Sequence, residues 1–368
     1  MNIIKMKEKN NWVKRLIIIL VFLLPITDIH SQEQSILAGS SGADQLLINP
    51  WARSSGWAGA NVASVRGLES MYNNVAGLAF TRKTELIFSR TSWLKYNDNE
   101  AVSYINSFGF SQKVGESGVI SLGIMSLDFG DIEITTVELP DGGIGTFSPK
   151  FMNIGLSYAK IFSNSIYGGF TLRMITEQIS DLSSGGLAFD AGIQYVTGKK
   201  DNLKFGISLK NVGPRMSYSG DGLSFRTNVA TIFKSTVEQK SGEFELPSQL
   251  NIGITYDLLY LKHRITSAGT FTSNSFQKDQ YRLGLEYAFR DMFMLRAGYT
   301  YEKGIQYSPS YASINNKDSY RTTALRGPSA GFTFEIPMGD GKTFGLDYSY
   351  LHTDPFQGCH SLGARINL

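Results

Sequence analysis

The stretch FQGCHSLGARINL, Phe356 to Leu368, sets a rule that most of the chain obeys. Leu362, Ala364, Ile366 and Leu368 fall on one side of an extended strand, with Ser361, Gly363, Arg365 and Asn367 on the other. Strand side chains alternate with a period of two. A strand with one apolar and one polar face suits the wall of a closed barrel in lipid, polar face inward.

Working back from that strand, the same alternation recurs. In Gln280–Arg290, Tyr281, Leu283, Leu285, Tyr287 and Phe289 oppose Arg282, Gly284, Glu286, Ala288 and Arg290. Similar runs at 84–95, 100–113, 118–136, 151–162, 165–181, 186–197, 203–210, 248–257, 262–275, 292–302, 328–337 and 342–350 bring the count to about fourteen strands, an even number as bacterial barrels have. Short turns near 115–117, 163–164, 198–202, 290–291 and 339–341 alternate with connections that include the three longest, around 137–149, 214–247 and 304–326. Short turns on one side and long loops on the other are expected of a membrane barrel. The fold class is therefore all-β, a transmembrane antiparallel barrel over 84–368. Gly339-Asp340-Gly341-Lys342-Thr343 ends like a phosphate loop but lacks its first glycine and lies between strands, so it reads as a hairpin turn.

Composition agrees. Of 368 residues, 18% are charged, below the ~25% of soluble proteins, and a mean hydropathy of −0.12 excludes a bundle of apolar helices. Residues 1–31 have the form of a signal peptide: basic Lys5, Lys7, Lys9, Lys14 and Arg15, an apolar core Leu16–Leu24, and Ser31 before the cut. Their net charge equals the +3 of the whole chain, so the remainder is neutral and offers no basic surface for nucleic acid. The single cysteine, Cys359, excludes an internal disulfide.

Residues 32–83 break the alternation. Asn49–Phe80 is rich in Gly, Ala and Ser and predicts a partly helical plug inside the lumen. Inward columns repeatedly hold glycine (Gly155, Gly192, Gly206, Gly253, Gly284, Gly298, Gly345, Gly363), where a plug backbone would approach closely or the wall would bend. In 118–136 the apolar column changes phase at Leu127 and again at Ile132, predicting a bulge. Arg282, Glu286, Arg290, Arg296, Glu302, Asp347 and Arg365 predict a charged lumen, which counts against an apolar path.

Trp51-Ala52-Arg53 through Gly59, followed by Asn73-Asn74-Val75-Ala76-Gly77-Leu78-Ala79, resembles the N-terminal pattern of FadL-like barrels, closest to their PorV/PorQ branch in Bacteroidetes. Val75 stands where that pattern has proline. The resemblance implies a plugged barrel in the outer membrane of a Gram-negative bacterium and, for that branch, an accessory of the type IX secretion system that binds a translocon subunit or secreted cargo. Arg53, Gly59, Asn73, Asn74 and Gly77 are the plug and turn residues it singles out. For a partner-binding role the outer loops supply Arg215, Tyr218, Arg226, Tyr307, Tyr311, Tyr320 and Arg321, since Tyr and Arg are enriched at interfaces. The alternative is a FadL-like transporter for hydrophobic small molecules. No His pair has metal-ligand spacing, and no nucleophile–base motif stands out. Neither an enzyme nor a cofactor is expected.

Overall fold

Fourteen of the alternating segments close into one antiparallel sheet in the computed structural model, which describes residues 40–93, 95, 103–230, 233–306, 321–354 and 356–368. The signal-like segment 1–31 lies outside the described residues. The wall strands are β1 Thr84–Trp93, β2 Ser103–Val114, β3 Gly118–Asp128, β4 Lys150–Ile161, β5 Ile166–Ile179, β6 Leu182–Thr197 and β7 Leu203–Val212. The sheet continues through β8 Gln249–Tyr260, β9 His263–Asn274, β10 Gln280–Phe289, β11 Phe293–Tyr301, β12 Leu325–Gly339, β13 Lys342–Thr353 and β14 Cys359–Asn367. Each pairs with its chain neighbours. The barrel closes where β1 meets β14, Glu85 opposite Asn367 and Ser92 opposite His360.

The wall is inside out relative to a soluble protein. Leu156, Leu172, Ile193, Ile207, Leu285 and Leu362 project outward and are exposed, while Ser107, Thr171, Arg173, Gln194, Glu286, Thr333 and Arg365 project inward and are buried. This is the solvent preference of a barrel in lipid. The long connections, including 129–149, 213–248 and 302–324, emerge at one end, taken as the outer one because outer-membrane barrels carry their longer loops there. Two of them bear small hairpins, Ile132–Glu133 with Thr146–Phe147 and Ser224–Ala230 with Phe233–Glu238. At the other end Asp340–Gly341 joins β12 to β13. Gly339, Asp340 and Gly341 all have positive φ, which the two glycines adopt without a Cβ penalty.

Residues 40–83 fill the lumen with short helical turns at Asp44–Leu47, Ala52–Ser55, Gly67–Glu69, Ser70–Asn73 and Val75–Phe80. None is long enough to stand alone; packing against the wall holds them. Trp51, Leu68, Met71, Tyr72 and Leu78 of the plug cluster with Ile87, Ile105, Val119, Met125 and Leu127 of the wall. Burying each such side chain contributes roughly 1.5–3 kcal/mol. The glycine columns mark where plug backbone meets wall. A Cβ on Gly206 would lie 2.6 Å from the Val62 carbonyl oxygen, and one on Gly298 2.5 Å from the Trp57 carbonyl carbon. Gly345 is different, since its neighbours are the Glu335 and Arg365 side chains.

The predicted bulge in 118–136 is absent. β3 pairs without interruption with β2 from Tyr104–Asp128 to Val114–Gly118, and equally with β4. Leu127 changes phase because it faces inward, onto the apolar side of the plug beside Met125. Ile132 belongs to the separate outer hairpin. Register shifts lie elsewhere in the wall, between Phe189 and Ala191 of β6 and, in β12, between Leu325 and Ser329 and between Pro337 and Gly339.

Candidate functional site

The plug is fixed by a few polar side chains. Asn74 accepts from the Ala76 N–H at 3.2 Å, capping Val75–Phe80, and its amide donates to the carbonyls of Val62 and Ile193, both at 3.0 Å. This single side chain ties turn, plug and wall together. Asn73 accepts from Asn49 and donates to Asn61, while its carbonyl accepts from Ser208. Gly77 is required because a Cβ would lie 2.1 Å from the Val65 carbonyl oxygen. Gly59 turns with φ +75° directly against the Arg282 guanidinium, and Arg53 reaches the Met294 sulfur at 3.4 Å.

Charged side chains project into the lumen from much of the wall, Arg173 with Asp190 at 2.6 Å and Lys204 with Asp257 at 2.5 Å among them. Towards β9–β14, Arg296 pairs with Glu286 at 3.0 Å and Arg264 with the same carboxylate at 3.1 Å. Arg365 bridges Glu335 at 2.5 Å and plug residue Glu69 at 3.3 Å. Arg290, expected inside, sits in the exposed turn after β10 with φ 54°. Towards β1–β4 the inward columns hold Ile87, Ile105, Val119, Met125 and Leu127 among small polar residues and the buried Glu85, and it is there that Trp51, Met71 and Tyr72 pack.

A cavity lies at each end of the plug. The inner one, about 180 Å³, is lined by Arg53, Arg66, Phe80, Glu85, Glu335 and Arg365 among others, and Arg66 stacks over the Phe80 ring at 4.3 Å. The outer one, about 90 Å³, is lined by apolar Leu47, Ile48, Trp93, Leu325, Pro328 and Leu351 and by polar residues that include Asn49, Asn73, Lys210, Gln249, Arg282 and His352. It borders the break in the β12–β13 ladder. There Leu325 opposes Thr353 and Ser329 opposes Leu351, so Arg326, Gly327 and Pro328 stand against His352 alone. His352 lines this cavity yet shares the outward column of Tyr348 and Tyr350. The outer chamber thus reaches the wall where its ladder is interrupted. Nothing in the sequence pattern marked the break beyond Gly327-Pro328, a pair that a central strand does not hold without interruption.

The loop candidates sit as follows. Tyr307, Tyr311 and Tyr320 lie outside the described residues. Arg215 is exposed and pairs with Glu245 at 2.5 Å. Tyr218 donates to Glu177 at 2.5 Å, and burial, followed by that bond and the adjacent carboxylate charge, raises its pKa. Arg226 is exposed on the hairpin strand Ser224–Ala230. Arg321 is buried and donates to Asp354 at 2.5 Å, a bond that holds the Asp354 carboxyl below its usual range. Tyr218 fastens its loop to β5, Arg321 ties its connection to the one after β13, and Arg215 pairs within its own loop. Glu177 also accepts from Gln45 of the plug at 2.8 Å, an anchor that sequence reasoning missed.

No protein-family model matches the chain, and no curated protein does. Solved structures share its fold. The CymD monoaromatic hydrocarbon channel superposes with a TM-score of 0.53 at 13% identity, covering 87% of this chain and 97% of that one. The Pseudomonas putida toluene transporter TodX gives 0.52 at 11% identity, with the same coverage of 87% and 97%. A Pseudomonas aeruginosa FadL homologue gives 0.50 at 10% identity, again over 87% and 97%. At such identities the likeness is one of architecture, and it defines the class: a plugged, fourteen-stranded FadL-like barrel.

Proposed function

We propose that this barrel resides in the outer membrane and conducts small hydrophobic molecules through it. The observation that carries the reading is the outer chamber, whose apolar residues extend from Leu47 and Ile48 of the plug to Leu325, Pro328 and Leu351 at the interrupted β12–β13 ladder. The shared fold supports it, since neighbours of this architecture are described as a hydrocarbon channel and a toluene transporter. Many of the lumen charges that counted against such a path are paired, Glu286 with Arg264 and Arg296, and Glu335 with Arg365. An accessory role in type IX secretion draws on the sequence resemblance to the PorV/PorQ branch; the described loop residues that would serve it are mostly engaged within the chain.

Uptake tests the proposal. Expressed in the outer membrane of a Gram-negative host, the protein should raise the rate of toluene entry, and Leu325→Trp, which fills the chamber, should abolish the gain. Uptake equal to that of cells without the barrel, or undiminished by Leu325→Trp, would remove the conduit reading.

A further inference from the structure

The inner rim carries a surface that the conduit does not use. On the lipid-facing wall, Tyr260 of β8 opposes His263 of β9, and His263 opposes Phe289 of β10. Phe289 in turn opposes Phe293 of β11, and Phe293 opposes Phe334 of β12. These ring-bearing side chains stand in one outward row, and the His263 Nδ1 lies 2.8 Å from the Tyr287 hydroxyl. Such a row marks the boundary between hydrocarbon and headgroups. Just beyond it, the turns after β6, β8 and β10 carry Lys199 and Lys200, Lys262, and Arg290, all exposed. Among the described residues none of these four cations forms an ion pair. The turns hold two carboxylates, and Asp291 is taken by Arg264 at 2.9 Å, which leaves Asp201. Apolar surface adjoins the cations, since Tyr260 is 74% exposed and Leu261 90%. Leu261 also holds a left-handed backbone with φ 53°, which glycine adopts freely and leucine does not. Neither that conformation nor that exposure favours leucine in water.

Basic clusters at a membrane surface attract anionic lipid. We propose that the turns after β6, β8 and β10 bind an anionic phospholipid of the inner leaflet, its phosphate among Lys199, Lys200, Lys262 and Arg290 and its acyl chains against Tyr260 and Leu261. Neighbouring strands lie about 4.8 Å apart, so successive turns are about 10 Å apart, and long Lys and Arg side chains on three of them converge on one headgroup. The Arg290 guanidinium lies over the Phe289 ring at 5.3 Å, which joins the cations to the aromatic row. Continuity with the lipid-facing wall favours a lipid over a soluble acidic protein. A phosphate at headgroup depth reaches the cations while the chains below it cover the apolar tip. This inference rests on the barrel sitting in a membrane with this end inward, not on what passes through the lumen.

Dioleoyl phosphatidylglycerol and dioleoyl phosphatidylcholine share their acyl chains and differ in net charge. Titrated into the purified full-length protein in nonionic detergent and followed by native mass spectrometry, the first should bind about fivefold more tightly. Lys199→Gln, Lys200→Gln and Lys262→Gln combined should bring the two lipids to equal affinity. Lys113→Gln with Lys160→Gln, at the inner ends of β2 and β4, should leave the preference unchanged. Glycerophosphoglycerol, the same headgroup without its chains, should not compete at equal concentration. Equal binding of the two lipids to the unmodified protein would overturn the proposal, leave the patch to a soluble acidic partner, and needs no variant to fold. A preference that survives the triple substitution would place the lipid elsewhere and overturn it as well. Competition by glycerophosphoglycerol would assign the cations to a soluble anion and remove the lipid. None of these results bears on toluene uptake, so the conduit stands or falls separately.

Discussion

Replacing Gly206 by alanine measures how closely the plug is fitted to its wall. The new Cβ would lie 2.6 Å from the Val62 carbonyl oxygen and 2.7 Å from the Ala63 Cα. Both are plug backbone, so the plug must shift. The same change at Gly345 meets the Glu335 carboxylate at 3.2 Å and an Arg365 nitrogen at 3.3 Å, tips of side chains that can swing aside. Alanine in place of glycine stabilises by about 0.4–1 kcal/mol through the unfolded chain, whereas overpacking a fitted interior costs about 1–3 kcal/mol. Gly345→Ala should therefore be neutral or slightly stabilising, and Gly206→Ala should be less stable than it by about 2 kcal/mol. Guanidinium unfolding in phospholipid vesicles, followed by the fluorescence of Trp51 and Trp57 in the plug, reads the difference. Equal midpoints for the two variants would refute the close fit.

Arg365→Met should cost about 3 kcal/mol, because it strands the buried carboxylate of Glu69 and leaves Glu335 without its partner. Adding Glu69→Gln should recover part of that loss in the same unfolding assay. Asn74→Ala removes a cap and two bonds to carbonyls, and should cost about 2 kcal/mol and speed proteolysis of the plug. The Arg321–Asp354 tie should fail in acid. Its carboxyl is depressed below the ordinary value of 3.8 by the hydrogen bond from Arg321, so its contribution is present above that value and lost as pH falls through the lower folded one. Hydrogen exchange at the amides of 356–358 should accordingly rise below about pH 4 in the unmodified protein but show no such step in Asp354→Asn.

The wall was legible in the sequence because a period of two is a local signal, repeated in every strand and tied to two solvents. The strand count and the sorting of loops followed from it. The glycine columns foretold close contact with the plug because a missing Cβ has few other uses on an inward face. Leu127 misled because its phase change looks the same whether a strand bulges or the lumen itself turns apolar, and only the plug's Met71 and Tyr72 decide which. Arg282 and Arg296 read alike as inward cations, yet one is matched by Glu286 from the neighbouring strand and the other faces a cavity. Arg296 and Glu286 face each other across one hairpin, a pairing that the period of two does not by itself reveal. Glu177 was invisible because its partners Gln45 and Tyr218 come from the plug and an outer loop.

The most direct measurement places a small apolar molecule on the chain itself. A photoreactive diazirine derivative of toluene, activated on cells carrying the barrel, should leave adducts on Leu325, Pro328, Leu351 and His352, mapped by mass spectrometry of the purified protein. Adducts confined to the lipid-facing column, such as Leu156, Ile207 and Leu285, with none in the outer chamber, would contradict the account.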